Sequence, residues 1–132
     1  MRITADTNVL VRAAVMDDPQ QGAMAAKALR EATLIAIPLV CLCEFVWVLK
    51  RVYRLDDDLI AGAIHSLLDT DNAVMDRPAV EAGLALLEAG GDFADGAIAH
   101  AGAQAGGDCF VSFDQKAAKL LARQGRNVTL LS

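Results

Sequence analysis

Residues 2–13 read RITADTNVLVRA, and this stretch decides the fold, because a short strand-like run ends in a carboxylate and passes directly into an apolar run. The pattern predicts a strand over residues 2–5 and a helix over residues 9–16. Asp6 lies at the carboxyl end of that strand. Since ligands bind beyond the carboxyl ends of strands in open parallel sheets, Asp6 is either a helix cap or part of a site.

Short apolar runs alternate with longer helical stretches along the rest of the chain. Strands are predicted over residues 2–5, 34–37, 73–75, 109–112 and 128–131. Helices are predicted over residues 9–16, 19–31, 39–53, 57–68, 78–88, 93–105 and 115–123. This order predicts an α/β protein with a parallel sheet. Nothing in the chain divides it, so residues 1–132 are expected to form a single domain.

The composition limits the kind of partner that the protein can have. Of its 132 residues, 55% are apolar, and the net charge is -5, which excludes a disordered tail and a protein that coats nucleic acid by bulk charge. A phosphate-bearing partner would have to meet local positive charge. The candidate contacts are Lys50, Arg51, Arg54 and Lys116, although ordinary solvated helix ends explain these cations equally well.

The chain is expected to be cytoplasmic. Its longest uninterrupted apolar stretch, residues 34–43, is too short to cross a bilayer and contains Pro38. Asp6 and Arg12 interrupt what would have to be the apolar part of a signal peptide. The three cysteines cannot all pair, and neither histidine stands at zinc-ligand spacing from a cysteine, so reduced thiols are predicted rather than a zinc site.

Four acidic positions follow or approach strand ends. Asp6 follows the first predicted strand, Asp114 follows the fourth, and Asp92 and Asp95 open the helix before the fourth. Each of these aspartates has the alternative explanation of a helix cap or of a first-turn acid favoured by the helix dipole. Taken singly, none of them identifies a site.

Glu44 is the acid that capping does not explain, because it lies within a helix. The residues three and four positions away from it are Val40, Cys41, Trp47 and Val48. We therefore expect its face of the helix to be apolar and buried, where a carboxylate needs a cation or strong hydrogen-bond donors. A buried ion pair with Lys or Arg would serve equally well.

The acids gain significance as a group. If Asp6, Glu44, Asp95 and Asp114 converge, their mutual repulsion must be offset, and a hard divalent cation does this. Mg²⁺ or Mn²⁺ prefers oxygen ligands and is commonly held by a few carboxylates, with open positions for phosphate oxygens. Such a site suits phosphodiester hydrolysis by an activated water.

Four short motifs resemble one known family. They are ITADTNVLV at residues 3–11, a glutamate in an apolar helix at Glu44, DFADGAIA at residues 92–99, and FVSFD at residues 110–114. In this order they resemble a PIN domain, and most closely a VapC-type toxin ribonuclease of a type II toxin-antitoxin system. The resemblance implies a three-layer α/β/α fold whose central parallel sheet has about five strands in the order 3-2-1-4-5. The chain departs from the family's usual pattern at Gly96, where a larger residue is common.

The resemblance also implies roles for individual residues. Asp6, Glu44, Asp95 and Asp114 would bind Mg²⁺ or Mn²⁺ and position the attacking water. Asn8 and Ser112 match the polar residues that accompany the first and last acids, and Asp92 would lie close enough to tune the site. The implied activity is metal-dependent cleavage of a structured RNA such as tRNA or rRNA. The implied partners are a VapB-type antitoxin and a second copy of the chain.

Two other classes of function stay open. One is a catalytically idle α/β interaction module. The other is a Mg²⁺-dependent phosphotransfer or phosphatase domain, which would need an aspartyl nucleophile with adjacent partner acids, whereas Asp6 is followed by Thr7 and Asn8. A Rossmann-type dinucleotide binder is excluded, because the first βα turn, residues 5–10, has no glycine.

Overall fold

The structure, a computed structural model, describes Met1–Ser132 and contains every predicted helix and strand. In chain order the elements are β1 (Arg2–Thr4), α1 (Thr7–Val15), α2 (Pro19–Glu31), β2 (Leu34–Ala36), α3 (Leu39–Arg51), α4 (Asp57–Leu68), β3 (Ala73–Val74), α5 (Arg77–Glu88), α6 (Phe93–Gln104), β4 (Phe110–Ser112), α7 (Gln115–Arg123) and β5 (Val128–Leu130). The largest difference from the sequence-based bounds at a helix start is in α1, which begins at Thr7 rather than at Val9. This α/β order is consistent with the three-layer α/β/α fold that the resemblance implies.

The chain forms two compact units, Met1–Asp76 and Arg77–Ser132, here called the N-terminal and C-terminal units. Each unit contains part of the predicted sheet. The strands pair as β1-β2-β3 in the N-terminal unit and as β4-β5 in the C-terminal unit, so the expected single five-stranded sheet is present as two parallel sheets. These two orders are the two parts of the predicted order 3-2-1-4-5. That the two units form a single domain remains a prediction.

In the N-terminal unit, the parallel sheet aligns Ile3 with Ile35 and Ile35 with Ala73. The ladder extends past β1, because the Ala5 amide donates to the Ala36 carbonyl at 3.0 Å. The core of this unit is formed by buried apolar side chains from α1, from β2 and the residue after it, from α3 and from α4: Leu10, Ile35, Ile37, Leu42, Phe45, Val46, Leu49, Ile60 and Ile64. The pairing fixes the point at which β1 ends, and therefore fixes the position of Asp6.

In the C-terminal unit, α5 and α6 pack closely through glycine. A Cβ atom added to Gly96 would lie 2.5 Å from the carbonyl oxygen of Ala82 and 2.9 Å from the Cα atom of Gly83. Only hydrogen fits at this position, so the packing of α6 against α5 requires the glycine at which the chain departs from the pattern that the resemblance implies. The close packing places the first turn of α6, and Asp95 within it, directly against α5.

An aspartate caps the start of five of the seven helices. The side chains of Asp6, Asp18, Asp56, Asp92 and Asp114 cap α1, α2, α4, α6 and α7, respectively, by accepting a hydrogen bond from a backbone amide of the first turn. These amides have no partner within the helix, so an aspartate stabilises each helix start by about 1 kcal/mol. Capping therefore accounts for where these five helices begin.

No helix in the chain combines the length and hydrophobicity needed to cross a membrane.

Candidate active site

The N-terminal unit places Asp6 directly beyond β1, at the start of α1. Its Oδ1 atom accepts a hydrogen bond from the Thr7 amide at 2.8 Å. The side chain is exposed, and its other oxygen, Oδ2, accepts no hydrogen bond from the protein. Asp6 is thus both the helix cap and an exposed acid at a strand end, since the two roles use different oxygen atoms.

Glu44 lies on α3, and the prediction that its face is buried is wrong. The buried side chains of α3 are Cys41, Leu42, Phe45, Val46 and Leu49, whereas Glu44 is exposed. Val40, four residues before it, and Trp47, three residues after it, are also exposed, by 68% and 59%. Because almost every residue of α3 is apolar, the pattern did not distinguish its covered face from its open face. The carboxylate therefore needs no buried counter-ion.

Thr7 links the two acids of the N-terminal unit, a role that the sequence did not reveal. Its hydroxyl donates a hydrogen bond to Glu44 Oε2 at 3.1 Å, while its amide donates to Asp6 Oδ1. A single residue thereby orients one carboxylate at the end of β1 and another on α3. Hydrogen bonds of this kind fix the direction of metal-binding carboxylates.

A groove between α1 and α3 opens beside these two acids. This α1/α3 groove has a volume of about 430 Å³ and is lined by Asp6, Thr7, Asn8, Val11, Arg12, Glu44, Val48, Val52 and Tyr53. Asn8 forms no hydrogen bond with either carboxylate, so its predicted orienting role remains a prediction. The groove joins the acids to a cation and an aromatic ring.

Cys41 is buried behind the two acids. Its thiol donates to the Ala5 carbonyl oxygen at 3.5 Å and lies 3.6 Å from the Thr7 hydroxyl. Burial raises the pKa of Cys41, and the negative charges of Asp6 and Glu44 raise it further. The thiol therefore stays protonated and does not act as a nucleophile. None of the three cysteines forms a disulfide.

The C-terminal unit groups Asp92, Asp95 and Asp114. Burial raises the pKa of Asp95, which is half-buried in the first turn of α6, and the charges of Asp92 and Asp114 raise it further. Asp95 accepts no hydrogen bond that would stabilise its ionised form. The charges of Asp92 and Asp114 therefore disfavour the ionised form of Asp95.

The partners of Asp114 and Asp92 are backbone amides. Asp114 Oδ1 accepts from the Ala117 amide at 3.0 Å, and Asp92 Oδ1 accepts from the Ala94 amide at 3.3 Å. Ser112 contacts the same turn, because its Oγ atom accepts from the Asp114 amide at 3.0 Å. Ser112 therefore positions the backbone of Asp114 rather than its carboxylate. In both aspartates Oδ2 has no partner in the protein.

The four predicted metal ligands provide carboxylate oxygens, which are the ligands that a hard divalent cation prefers. Each of the predicted ligands Asp6, Glu44, Asp95 and Asp114 is a carboxylate with at least one oxygen that no protein donor occupies, and none forms an ion pair with Lys or Arg. Within neither unit do three His, Cys, Asp or Glu side chains form a metal-binding cluster.

The four predicted cationic contacts differ in their surroundings. Lys50 forms an ion pair with Asp57, with 3.3 Å between Nζ and Oδ1. Arg51, Arg54 and Lys116 are exposed and form no ion pair with an acid. Three of the four are therefore free to meet a phosphate, and their role in RNA binding stays a prediction.

Comparison with known proteins identifies the family. The family model of the PIN domain matches residues 3–122, a range that covers most of both units and includes all the acids described above. The chain therefore belongs to the PIN domain family. PIN domains are generally metal-dependent nucleases. No curated protein matches the chain significantly.

Proposed function

We propose that the protein is a Mg²⁺- or Mn²⁺-dependent endoribonuclease that cleaves structured RNA such as tRNA or rRNA. The observation that supports this most directly is the absence of any Lys or Arg counter-ion at Asp6, Glu44, Asp95 and Asp114, although these acids lie in a chain of the PIN family. Carboxylates without a counter-ion favour cation binding over a purely structural role.

The proposed metal ligands are Asp6 and Glu44 in the N-terminal unit and Asp95 and Asp114 in the C-terminal unit. A divalent cation held by these carboxylates would supply a water of lowered pKa and would stabilise the leaving oxygen of the phosphodiester. Thr7 would keep Glu44 oriented, and Ser112 would keep the turn before α7 in place. Asp92 would tune the charge of Asp95.

A cleavage assay tests the activity. Labelled tRNA and rRNA fragments should be cut by the purified chain with Mg²⁺ or Mn²⁺ and left intact with EDTA. Asp6→Asn, Glu44→Gln, Asp95→Asn and Asp114→Asn should each abolish the cleavage. Asp56→Asn is the matched control, because Asp56 caps α4 as Asp114 caps α7, and asparagine caps as well as aspartate. If cleavage survives both Asp6→Asn and Asp95→Asn, it comes from a contaminating nuclease. The protein would then be a catalytically idle interaction module.

A second experiment tests the proposed ligands by where the metal binds. Mn²⁺ broadens the NMR signals of nearby amides, so it should broaden the amide of Thr7, beside Asp6, and the amide of Gly96, beside Asp95. Asp6→Asn should reduce the broadening at Thr7, and Asp95→Asn should reduce it at Gly96. Broadening that neither substitution reduces would contradict the assignment of these two ligands.

We further propose the toxin role that the resemblance implies, with a VapB-type antitoxin and a second copy of the chain as partners. The exposed Val40 and Trp47 on α3 support a protein partner, since large exposed apolar side chains on one face mark interaction surfaces. Expression without antitoxin should arrest growth and produce new RNA 5′ ends that are absent with Asp6→Asn. Identical RNA ends for the two proteins would contradict the toxin role.

A further inference from the structure

The α1/α3 groove extends from the acids of the N-terminal unit to a cation and an aromatic ring. Two contacts fix its direction. At one end Thr7 on α1 binds Glu44 on α3, and at the other Arg12 on α1 binds Tyr53, which follows α3. The groove therefore has carboxylates at one end and a guanidinium beside a phenol at the other.

The size of the groove fits one nucleotide. Glu44 and Val48 of α3 and Val52, which caps the end of α3, line it at intervals of four residues, which corresponds to about 12 Å at a rise of 1.5 Å per residue. Its volume of about 430 Å³ lies in the range of pockets that bind small molecules. Val48 and Val52, together with Val11 of α1, make the middle of the groove apolar.

Tyr53 is anchored through its hydroxyl. The Tyr53 hydroxyl donates to Asp17 Oδ2 at 2.9 Å and accepts from Arg12 Nη1 at 3.2 Å. These two bonds hold the half-buried ring where it lines the groove. A ring held in this way loses little conformational freedom when a flat ligand stacks on it.

Arg12 is anchored on one side and has free donors on the other. Its Nε atom donates to Gln21 Oε1 at 2.8 Å, and its Nη1 atom donates to Asp17 Oδ1 at 3.1 Å and to Tyr53. The two N–H groups of Nη2 have no acceptor in the protein. A guanidinium fixed at Nε and Nη1 is well placed to bind a phosphate oxygen through Nη2.

We infer that the α1/α3 groove binds the nucleotide adjacent to the cleaved phosphodiester in a single-stranded segment of RNA, with its base stacked on Tyr53 and its phosphate bound by Arg12. The sequence of groups along the groove supports this inference: carboxylates suited to a metal-bound phosphate, then apolar walls and an aromatic ring for a base, then a cation for the next phosphate. Single-stranded RNA is recognised through these elements. The inference rests on the proposed ribonuclease function.

Binding of a short labelled single-stranded RNA in EDTA tests the groove without cleavage. Tyr53→Ala should weaken binding about tenfold, as loss of one base–aromatic stack does, without altering its salt dependence. Tyr53→Phe, which keeps the ring, should bind nearly as the wild type does. Arg12→Gln should weaken binding and reduce the slope of log K against log salt by about 0.7, the value of one phosphate contact on a single strand. Arg12→Lys should retain that slope.

Asp17→Asn is the control for a structural role. Asp17 holds both Arg12 and Tyr53 but does not line the groove. If Arg12 contacts RNA, Asp17→Asn should change the affinity less than Arg12→Gln and leave the salt slope unchanged. Equal effects of the two variants, with unchanged slopes, would show that the network only braces the helices and would overturn the inference. Failure of the wild type to bind the RNA would also overturn it.

Cleavage kinetics separate this inference from the proposed function. Tyr53→Ala should raise KM about tenfold with little change in kcat, because the contact is made in the bound substrate as well as in the transition state. A wild type that binds RNA through Tyr53 and Arg12 but never cleaves it would refute the nuclease proposal and leave the nucleotide site standing. Cleavage with a KM unaffected by both substitutions would refute the nucleotide site alone.

Discussion

The Thr7 hydroxyl donates a hydrogen bond to Glu44 Oε2 across 3.1 Å, and the Thr7 amide holds Asp6 Oδ1 at 2.8 Å. Two acids that are far apart in the chain are thereby oriented by one residue. The hydroxyl is the only polar group of the protein that contacts the Glu44 carboxylate. Without it, Glu44 would be an exposed side chain with several accessible rotamers.

Thr7→Val should therefore weaken metal binding and RNA cleavage by about 10- to 100-fold, the cost typical of losing a hydrogen bond to a metal ligand. Valine has the same shape, so the fold should be retained. Metal affinity can be measured by calorimetry and cleavage with labelled RNA. Thr7→Ser keeps the hydroxyl and should stay close to the wild type. Equal losses for Val and Ser would mean that the methyl group, not the hydrogen bond, is what matters.

Gly96→Ala should destabilise the protein by about 1–3 kcal/mol, because the new methyl group would lie 2.5 Å from the Ala82 carbonyl oxygen and force α5 and α6 apart. The matched control lies on the same helix. Gly102 has open space around its Cα atom, so Gly102→Ala should stabilise by about 0.5–1 kcal/mol through helix propensity. Urea unfolding of both variants measures the difference. A stabilised Gly96→Ala would contradict the packing described for α6.

The sequence predicted the elements well but could not separate capping acids from site acids. Asp18 and Asp56 stand before helices in the same way as Asp6 and Asp114, and all four are caps. Capping is a local interaction and can be predicted from a few residues. Whether a second oxygen of the same carboxylate also binds a metal depends on residues distant in the chain, which a single sequence does not specify.

Glu44 and Thr7 show the other limit of prediction. The apolar pattern of α3 runs almost all round the helix, so it indicated burial for Glu44 on a face that is in fact exposed. The hydrogen bond from Thr7 joins residues 37 positions apart, and threonine after an acid carries no signal of its own. Both features depend on how α1 packs beside α3, which only the tertiary structure reveals.

Asp95→Asn should raise the stability of the metal-free protein or leave it unchanged, because it removes a half-buried charge that Asp92 and Asp114 repel. Thermal unfolding in EDTA checks this, and the stabilisation gained on adding Mn²⁺ should diminish. Asp58→Asn is the control. Asp58 is also a first-turn acid, at the start of α4, and its loss should cost about 0.3–1 kcal/mol of favourable helix-dipole energy. A large loss of stability in Asp95→Asn would assign Asp95 a structural role.

Asp17 should make the free energy of unfolding rise with pH, whereas an acid with a raised pKa, such as Asp95, makes it fall. The hydrogen bond from Tyr53 lowers the pKa of Asp17 below its ordinary value of 3.8, and the charge of Arg12 lowers it further. Between the folded and unfolded pKa values, the unfolded chain binds more protons than the folded chain, so stability rises with pH in this window. The contribution is thus complete above the unfolded pKa and lost as the pH falls through the folded pKa.

Asp17→Asn should accordingly be less stable than the wild type at neutral pH, and the difference should shrink as the pH falls below about 4. Urea unfolding of both proteins over a series of pH values measures it. Because the Arg12–Asp17 pair is partly exposed, the difference should also shrink at high salt. Asp71→Asn, which replaces an exposed acid without a hydrogen bond or ion pair, should show neither trend. A difference in stability that stays constant from neutral to acid pH would mean that the Tyr53 and Arg12 contacts do not favour the ionised form of Asp17.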